Sequence, residues 1–263
     1  MELLPDDELG AGNGFYAQAY RISSFVPGSL AMILAGFYPW SVAHLSIAVF
    51  MLVGLVTTLM INETSKAGEE PQTLRSAVVE PFVEFFQRQG WQQAVLILLF
   101  IMFYKLGDSM ATALETPFFL DMGFSTVEIG SIAKIAKTIG ATAGTILGGV
   151  AMIKLGINRS LWIFGIFQLI SILGYVMLSM VGYNHLVLAI ASGFEYFGVG
   201  LGSVALLFSS IAAVPRTFVS AGTGYIIESV GYTQFFIICF VCALPGMLML
   251  LKIAPWNTKS SAA

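Results

Sequence analysis

The feature that most constrains this chain is an apolar run from Val95 to Leu120, broken by Tyr104-Lys105-Leu106-Gly107-Asp108 and then by Glu115. A core helix of a water-soluble domain is rarely so long and so apolar, whereas a bilayer-spanning helix needs about 20 such residues. Inside such a helix an ionised side chain costs on the order of 3 kcal/mol or more. At about 100° per residue, Asp108 lies about 60° from Lys105, and Glu115 about 20° beyond Asp108. The three charges share one face, which must look into protein or water and not into lipid. They predict the wall of a polar pathway.

Composition points the same way. The chain is 57% hydrophobic and 10% charged, with a mean hydropathy of +0.85. Soluble domains carry about 25% charged residues, so this chain cannot clothe a water-facing surface. The fold class is an all-α integral membrane protein with the lipid bilayer as its surroundings. Hydrophobic windows place spans near 15–37, 43–61, 94–120, 129–153, 160–181, 186–207, 208–229 and 233–253, which makes eight helices. Met1 to Asn13 holds four acids and no base, unlike the basic leader of a signal peptide. The net charge of −3 argues against nucleic acid as a partner.

Lysine and arginine fix the expected orientation. Lys66, Arg75, Arg88, Lys154, Arg159, Lys252 and Lys259 fall in alternate connections or in the C-terminal tail. The opposite connections, around Pro39, Asp121, Asn184 and Tyr232, hold none. By the positive-inside rule both termini are cytoplasmic. Phe37-Tyr38-Pro39-Trp40 reads as an interfacial turn with aromatics at headgroup depth. The segment 63–92 becomes amphipathic, with Leu74, Val78, Phe82, Phe85 and Phe86 in an apolar stripe. It predicts a linker with a helix lying along the inner membrane surface. Between the sixth and seventh spans there is no hydrophilic loop, only Phe208-Ser209-Ser210, so the charge pattern requires a very tight turn there.

Charged residues outside the loops are the candidates for function. Arg21, Lys105, Lys134, Lys137 and Arg216 are basic; Asp108, Glu115 and Glu195 are acidic. Snorkelling toward a membrane surface suits Arg21 as well as function does. Lys105 and Arg216 are nearer mid-span, where snorkelling is harder and a pathway role is favoured. Pro215-Arg216-Thr217 predicts a kinked pathway helix. Lys134 and Lys137 share a face with Thr138, Thr142 and Thr145, which suits an anionic, hydroxyl-rich ligand. The alternative is a pair at the outer interface, held by Glu128 or by lipid phosphate. Gly140, Gly144 and Gly148 recur at four-residue intervals on the other side, which lets a neighbouring backbone come close. Glu195 precedes Gly198-Val199-Gly200-Leu201-Gly202, a density that predicts either a broken helix, as transporters use near the midplane, or plain close packing. Any of the three carboxylates could bind and release a proton where burial favours its neutral form, and the residues leave that choice open.

Enzyme chemistry has no support. There is no G-x-S-x-G, no H-E-x-x-H and no phosphate-cradling loop. Cys239 and Cys242 form a C-x-x-C inside an apolar run and read as small buried hydrophobes. His44 and His185 read as interfacial residues. No catalytic residue, metal site or cofactor is expected.

Five strings together resemble one family: Leu4 to Asn13, Pro81 to Phe86, Tyr104 to Asp108, Gly148-Gly149 with Gly156, and Ala213 to Thr217. They resemble the muropeptide permeases (the AmpG type) of the major facilitator superfamily. The resemblance implies a proton-driven importer of anhydro-muropeptides in the inner membrane of a Gram-negative bacterium, serving cell-wall recycling. The proton would be the coupling ion and an anionic sugar-peptide the substrate. It also implies domains: 1–62 as the last two helices of an N-terminal bundle, 93–256 as a six-helix C-terminal bundle, and 257–263 as a cytoplasmic tail, joined by the 63–92 linker. Two departures accompany it. About four helices of the family's first bundle precede the position of Met1, and some twenty residues are short near 203–210. A complementary half-transporter chain is therefore one expected partner. Two alternatives stay beside the muropeptide permease: a carrier of another anionic solute such as acetyl-CoA, a peptide or a siderophore, and a non-transporting membrane fragment or assembly partner.

Overall fold

The computed structural model describes residues 19–20, 23–60, 83, 86–87, 90–205 and 213–256, with backbone alone at 26, 203–205 and 213–221. Every regular element among them is helical. A π-helical turn, Val26–Leu30, leads into α1 (Ala31–Phe37), and α2 spans Trp40–Met60. Then come α3 (Trp91–Ala113) and α4 (Glu115–Asp121). A short α5 (Thr126–Glu128) and a second π turn, Ile129–Ala133, run into α6 (Lys134–Leu155). The chain continues through α7 (Ile157–Val181), α8 (His185–Ala205) and α9 (Ala213–Ile253).

Among the described residues six stretches are long and apolar enough to cross a membrane: Trp40–Met60, Trp91–Asp121, Thr126–Leu155, Ile157–Val181, His185–Gly202 and Gly222–Ile253. Ser23–Phe37 is a shorter apolar helix. Inside α9, Gly231 has φ 78° and ψ 168°, close to the φ 77° and ψ 167° of Gly156 between α6 and α7. Only glycine takes that backbone region without strain. Gly231 therefore divides α9 into two spans, where the sequence placed a connection at Tyr232. With that division the described residues fall in all eight expected spans. The described part of α9 opens at Ala213, two residues before Pro215, so the turn that Pro215 would bend lies outside the described residues. The tight turn expected near 203–210, most of the 63–92 linker, Arg21 and the Arg216 side chain lie outside the described residues.

Hydrophobic side chains form two layers. One packs Phe118, Phe119, Phe124, Ile172, Tyr175, Leu178, Leu188, Phe235 and Phe236, and the other packs Phe100, Tyr104, Leu161, Met247 and Leu250. Asp108, Gln168 and Ser171 are buried at chain positions between the two, and Glu195 is buried on α8 beyond the first. The ends of the bundle differ. At one end Trp162 Nε1 donates to the Ala254 carbonyl at 2.9 Å and Arg159 lies over the Trp256 ring, near Lys154 and Lys252. At the other, Tyr232 donates to Asp121, and Tyr183 and His185 both reach Glu128. Basic side chains thus gather at one end and the carboxylates Asp121 and Glu128 at the opposite end, in keeping with the alternation of lysine and arginine among the connections.

The glycine spacing of α6 acts as expected. A Cβ on Gly140 would strike the Gly193 carbonyl, and one on Gly144 the Phe197 carbonyl, so α6 and α8 touch backbone to backbone. From the α8 side, Gly200 is equally close to the Ala141 carbonyl, 2.5 Å from where its Cβ would stand. The glycine-dense part of α8 is consequently a packing surface in a continuous helix, and the broken-helix alternative is not what forms there.

Candidate functional site

The helix carrying the first three charges does break, but at Leu114. Pro117 explains the place. Proline has no N–H for the carbonyl four residues back, here Ala113, and its ring crowds that carbonyl. The backbone at Leu114 departs to φ −113° and ψ 12°, and Glu115 opens a new helix. Glu115 still points inward. Lys137 Nζ lies 2.6 Å from its Oε1, Tyr196 donates to Oε1 at 3.1 Å, and Tyr175 donates to Oε2 at 3.0 Å. Three helices, α6, α7 and α8, thus converge their donors on one carboxylate. The Lys137 ammonium also stands 4.9 Å from the Phe119 ring centre and 5.2 Å from that of Tyr196, an arrangement that favours a cation.

Two to three turns earlier, Lys105 and Asp108 pair along α3 at 3.4 Å. That contact uses Asp108 Oδ2, while Oδ1 is buried with no hydrogen-bond partner among the described residues. Asp108 and Gln168 line a narrow cavity between α3, α7 and α9, together with Tyr104, Gly165 and Met247. Neither amide atom of Gln168 has a partner among the described residues, although the residue is only 4% exposed. Glu195, on α8, is 0% exposed, and among the described residues neither of its oxygens has a partner in good hydrogen-bond geometry. Asp108, Glu115 and Ser171 are its polar neighbours. Buried polar groups are nearly always satisfied. Asp108, Gln168 and Glu195 together hold five of the seven buried side-chain atoms that lack a partner among the described residues.

Lys134 and Lys137 share a face but go to different partners. Lys137 turns to Glu115, whereas the Lys134 side chain fills a notch at Gly28, with Cε and Nζ 2.5 and 2.6 Å from where a Cβ would stand. The two π turns meet beside it, where Ser29 Oγ donates to the Gly130 carbonyl at 2.5 Å. π turns often sit at functional sites. Neither lysine pairs with Glu128. That carboxylate caps α5 through Ser125 at 2.7 Å and accepts Tyr183 and His185, so it is not the partner of either lysine. Its hydrogen bond pushes the Tyr183 hydroxyl above its ordinary range. Thr138 and Thr145 spend their hydroxyls on the Lys134 and Ala141 carbonyls of their own helix, and Thr142 is half-buried. The structure therefore assembles Lys105, Asp108, Glu115, Lys137 and Glu195, with Lys134 at the contact to α1. Sequence reasoning missed Gln168, Tyr175 and Tyr196. Their signal was polarity alone: an amide and two phenols deep in apolar helices, where each needs a partner.

The Major Facilitator Superfamily domain matches residues 1–222, well over half the chain. The chain belongs to that superfamily. That is a family of transporters, not enzymes, and the chain is a multi-pass membrane protein. Two relatives sharpen the comparison. An uncharacterized protein of Haemophilus influenzae is 38% identical over 291 aligned positions, covering 99% of this chain and 68% of that protein. Those positions exceed the 263 residues here, so that relative carries stretches this chain lacks. The anhydromuropeptide permease of Escherichia coli strain K12 is 32% identical over 95% of this chain and 54% of its own length. The AmpG-type resemblance is thus borne out, and the chain spans about half the length of that permease.

Proposed function

We propose that this superfamily member imports anhydromuropeptides across a bacterial inner membrane, driven by protons, with both termini in the cytoplasm. One observation carries the coupling: a group of buried, incompletely satisfied acids and amide, Asp108, Gln168 and Glu195, on membrane helices. Intramembrane charge is costly and is kept where it is used. The E. coli relative's name supports the substrate, and the cations Lys105, Lys134, Lys137 and Arg216 suit its carboxylates. Residues 1–62 and 93–256 belong to two bundles, joined by the 63–92 linker, and the tail 257–263 is cytoplasmic. The remaining length seen in the relatives completes the path, whether in the same polypeptide or as a complementary half-transporter chain.

The test is uptake of labelled anhydromuropeptide into proteoliposomes with acid outside, using the chain together with that remaining length. Accumulation above the equilibrium level, lost when an ionophore collapses the pH gradient, is expected. Equal uptake with and without the gradient would remove the coupling. Acetyl-CoA competing better than unlabelled anhydromuropeptide would move the substrate to another anionic class.

A further inference from the structure

Glu115 is held in an unusual way for a residue on a transport path. A lysine and two tyrosines, from three different helices, all point at its carboxylate at 2.6 to 3.1 Å. None of the three needs Glu115 to keep its own place. Tyr175 is fixed in the aromatic layer by Phe118, Phe119 and Phe236, with ring centres 5.2 to 6.2 Å away. Lys137 and Tyr196 ride on α6 and α8, which are locked together by their glycines. Glu115 itself stands one residue after the break at Leu114 and two before Pro117. The donors sit on three packed helices and the acceptor stands beside a break in its own.

We propose that Lys137, Tyr175 and Tyr196 form a carboxylate receptor that Glu115 occupies in this conformation, and that a substrate carboxylate takes its place during transport. The receptor stands on the geometry; the exchange rests also on the transport reading above. Charge favours a carboxylate over a neutral group, since one ammonium and two phenol hydroxyls can all donate to it and the ammonium also pairs with its charge. Chemistry also sets the rank order of ligands. An amide has no charge to match the ammonium and brings N–H groups that the ammonium cannot accept, so a carboxylate binds better than its amide. Glu115 keeps the lysine paired when the site has no substrate, which avoids the penalty of a buried lone charge. Filling the receptor with substrate frees Glu115 to move with α4, linking occupancy to a change at Leu114.

Two experiments test this, separately from each other. First, Glu115→Ala in the full chain empties the receptor, and propionate should raise its unfolding temperature while propionamide does not. The double variant Glu115→Ala/Lys137→Met should lose that response. Equal effects of propionate and propionamide, or none, would overturn the receptor; Glu115→Gly serves the same purpose where the alanine variant does not fold. Second, Glu115→Gln weakens the occupant. It should bind anhydromuropeptide about tenfold tighter than the wild type, the size of one charge-assisted hydrogen bond, with no gain for the ligand whose carboxyls are amidated. Unchanged or weaker binding would overturn the exchange. Propionate rescue with no binding of anhydromuropeptide to any variant would leave the receptor standing and sink the muropeptide assignment instead.

Discussion

Glu195→Gln is expected to abolish substrate accumulation driven by a pH gradient while leaving exchange intact. With one pH unit across the membrane, acid outside, each coupled proton supports about tenfold accumulation. In the variant the ratio should fall to about one, because glutamine carries no exchangeable charge. Labelled substrate outside should still swap with unlabelled substrate inside, since exchange moves substrate without net proton transfer. The choice of Glu195 follows from comparing three acids. Glu115 is matched by Lys137 at 2.6 Å and Asp108 by Lys105 at 3.4 Å, whereas Glu195 is fully buried and no cation pairs with it among the described residues. Isolated charge in such a place costs several kcal/mol, and a carboxyl escapes that cost by binding a proton. Glutamine has nearly the same shape, so the fold should be kept. Asp108→Asn removes the neighbouring acid and should also lose driven accumulation. Full accumulation by Glu195→Gln would assign the proton to another group.

The fold was legible in the sequence because its strongest signals are local. Span lengths follow from apolar runs, the connections from the alternation between basic stretches such as Lys154 to Arg159 and base-free ones such as Asp121, and the α6 packing face from glycines four apart. What local reasoning missed was set by partners. Glycine costs a helix about 1 kcal/mol per residue relative to alanine, which made Gly198 to Gly202 look like a break. Contact of Gly200 with the α6 backbone offsets that cost, and the helix runs on. The break instead falls at Leu114, dictated by Pro117, a residue the sequence displayed but whose effect reaches four residues back. Lys134 and Lys137 were readable as one face, yet their different ends were not. One meets a glutamate on α4 and the other a glycine before α1, and spacing along α6 contains neither partner. Tyr175 and Tyr196 could be seen as polar residues in apolar helices, but only tertiary structure brings their hydroxyls to one carboxylate.

The packing of α6 on α8 predicts a second large effect. Gly144→Val should destabilise the protein by about 3 kcal/mol or more, the upper range for overpacking a filled interior. The obstacle is the Phe197 carbonyl, a backbone atom that cannot turn aside as a side chain would. Five residues on, Gly149 provides the control: nothing lies within 4 Å of where its Cβ would stand. Gly149→Val should therefore leave the thermal unfolding midpoint in detergent close to that of the wild type, with a small gain available because glycine is the poorer helix former. A similar midpoint for both variants would show that the α6–α8 contact is looser than drawn. The effect should extend to transport in any Gly144→Val protein that does fold. Lys137 projects from α6 and Tyr196 from α8, and both hold Glu115. Forcing the helices apart lengthens one of those contacts, so binding that depends on the Lys137 ammonium and the Tyr196 hydroxyl together should weaken more than binding that depends on either alone. Close packing and ligand recognition are, in this bundle, two consequences of the same glycine spacing.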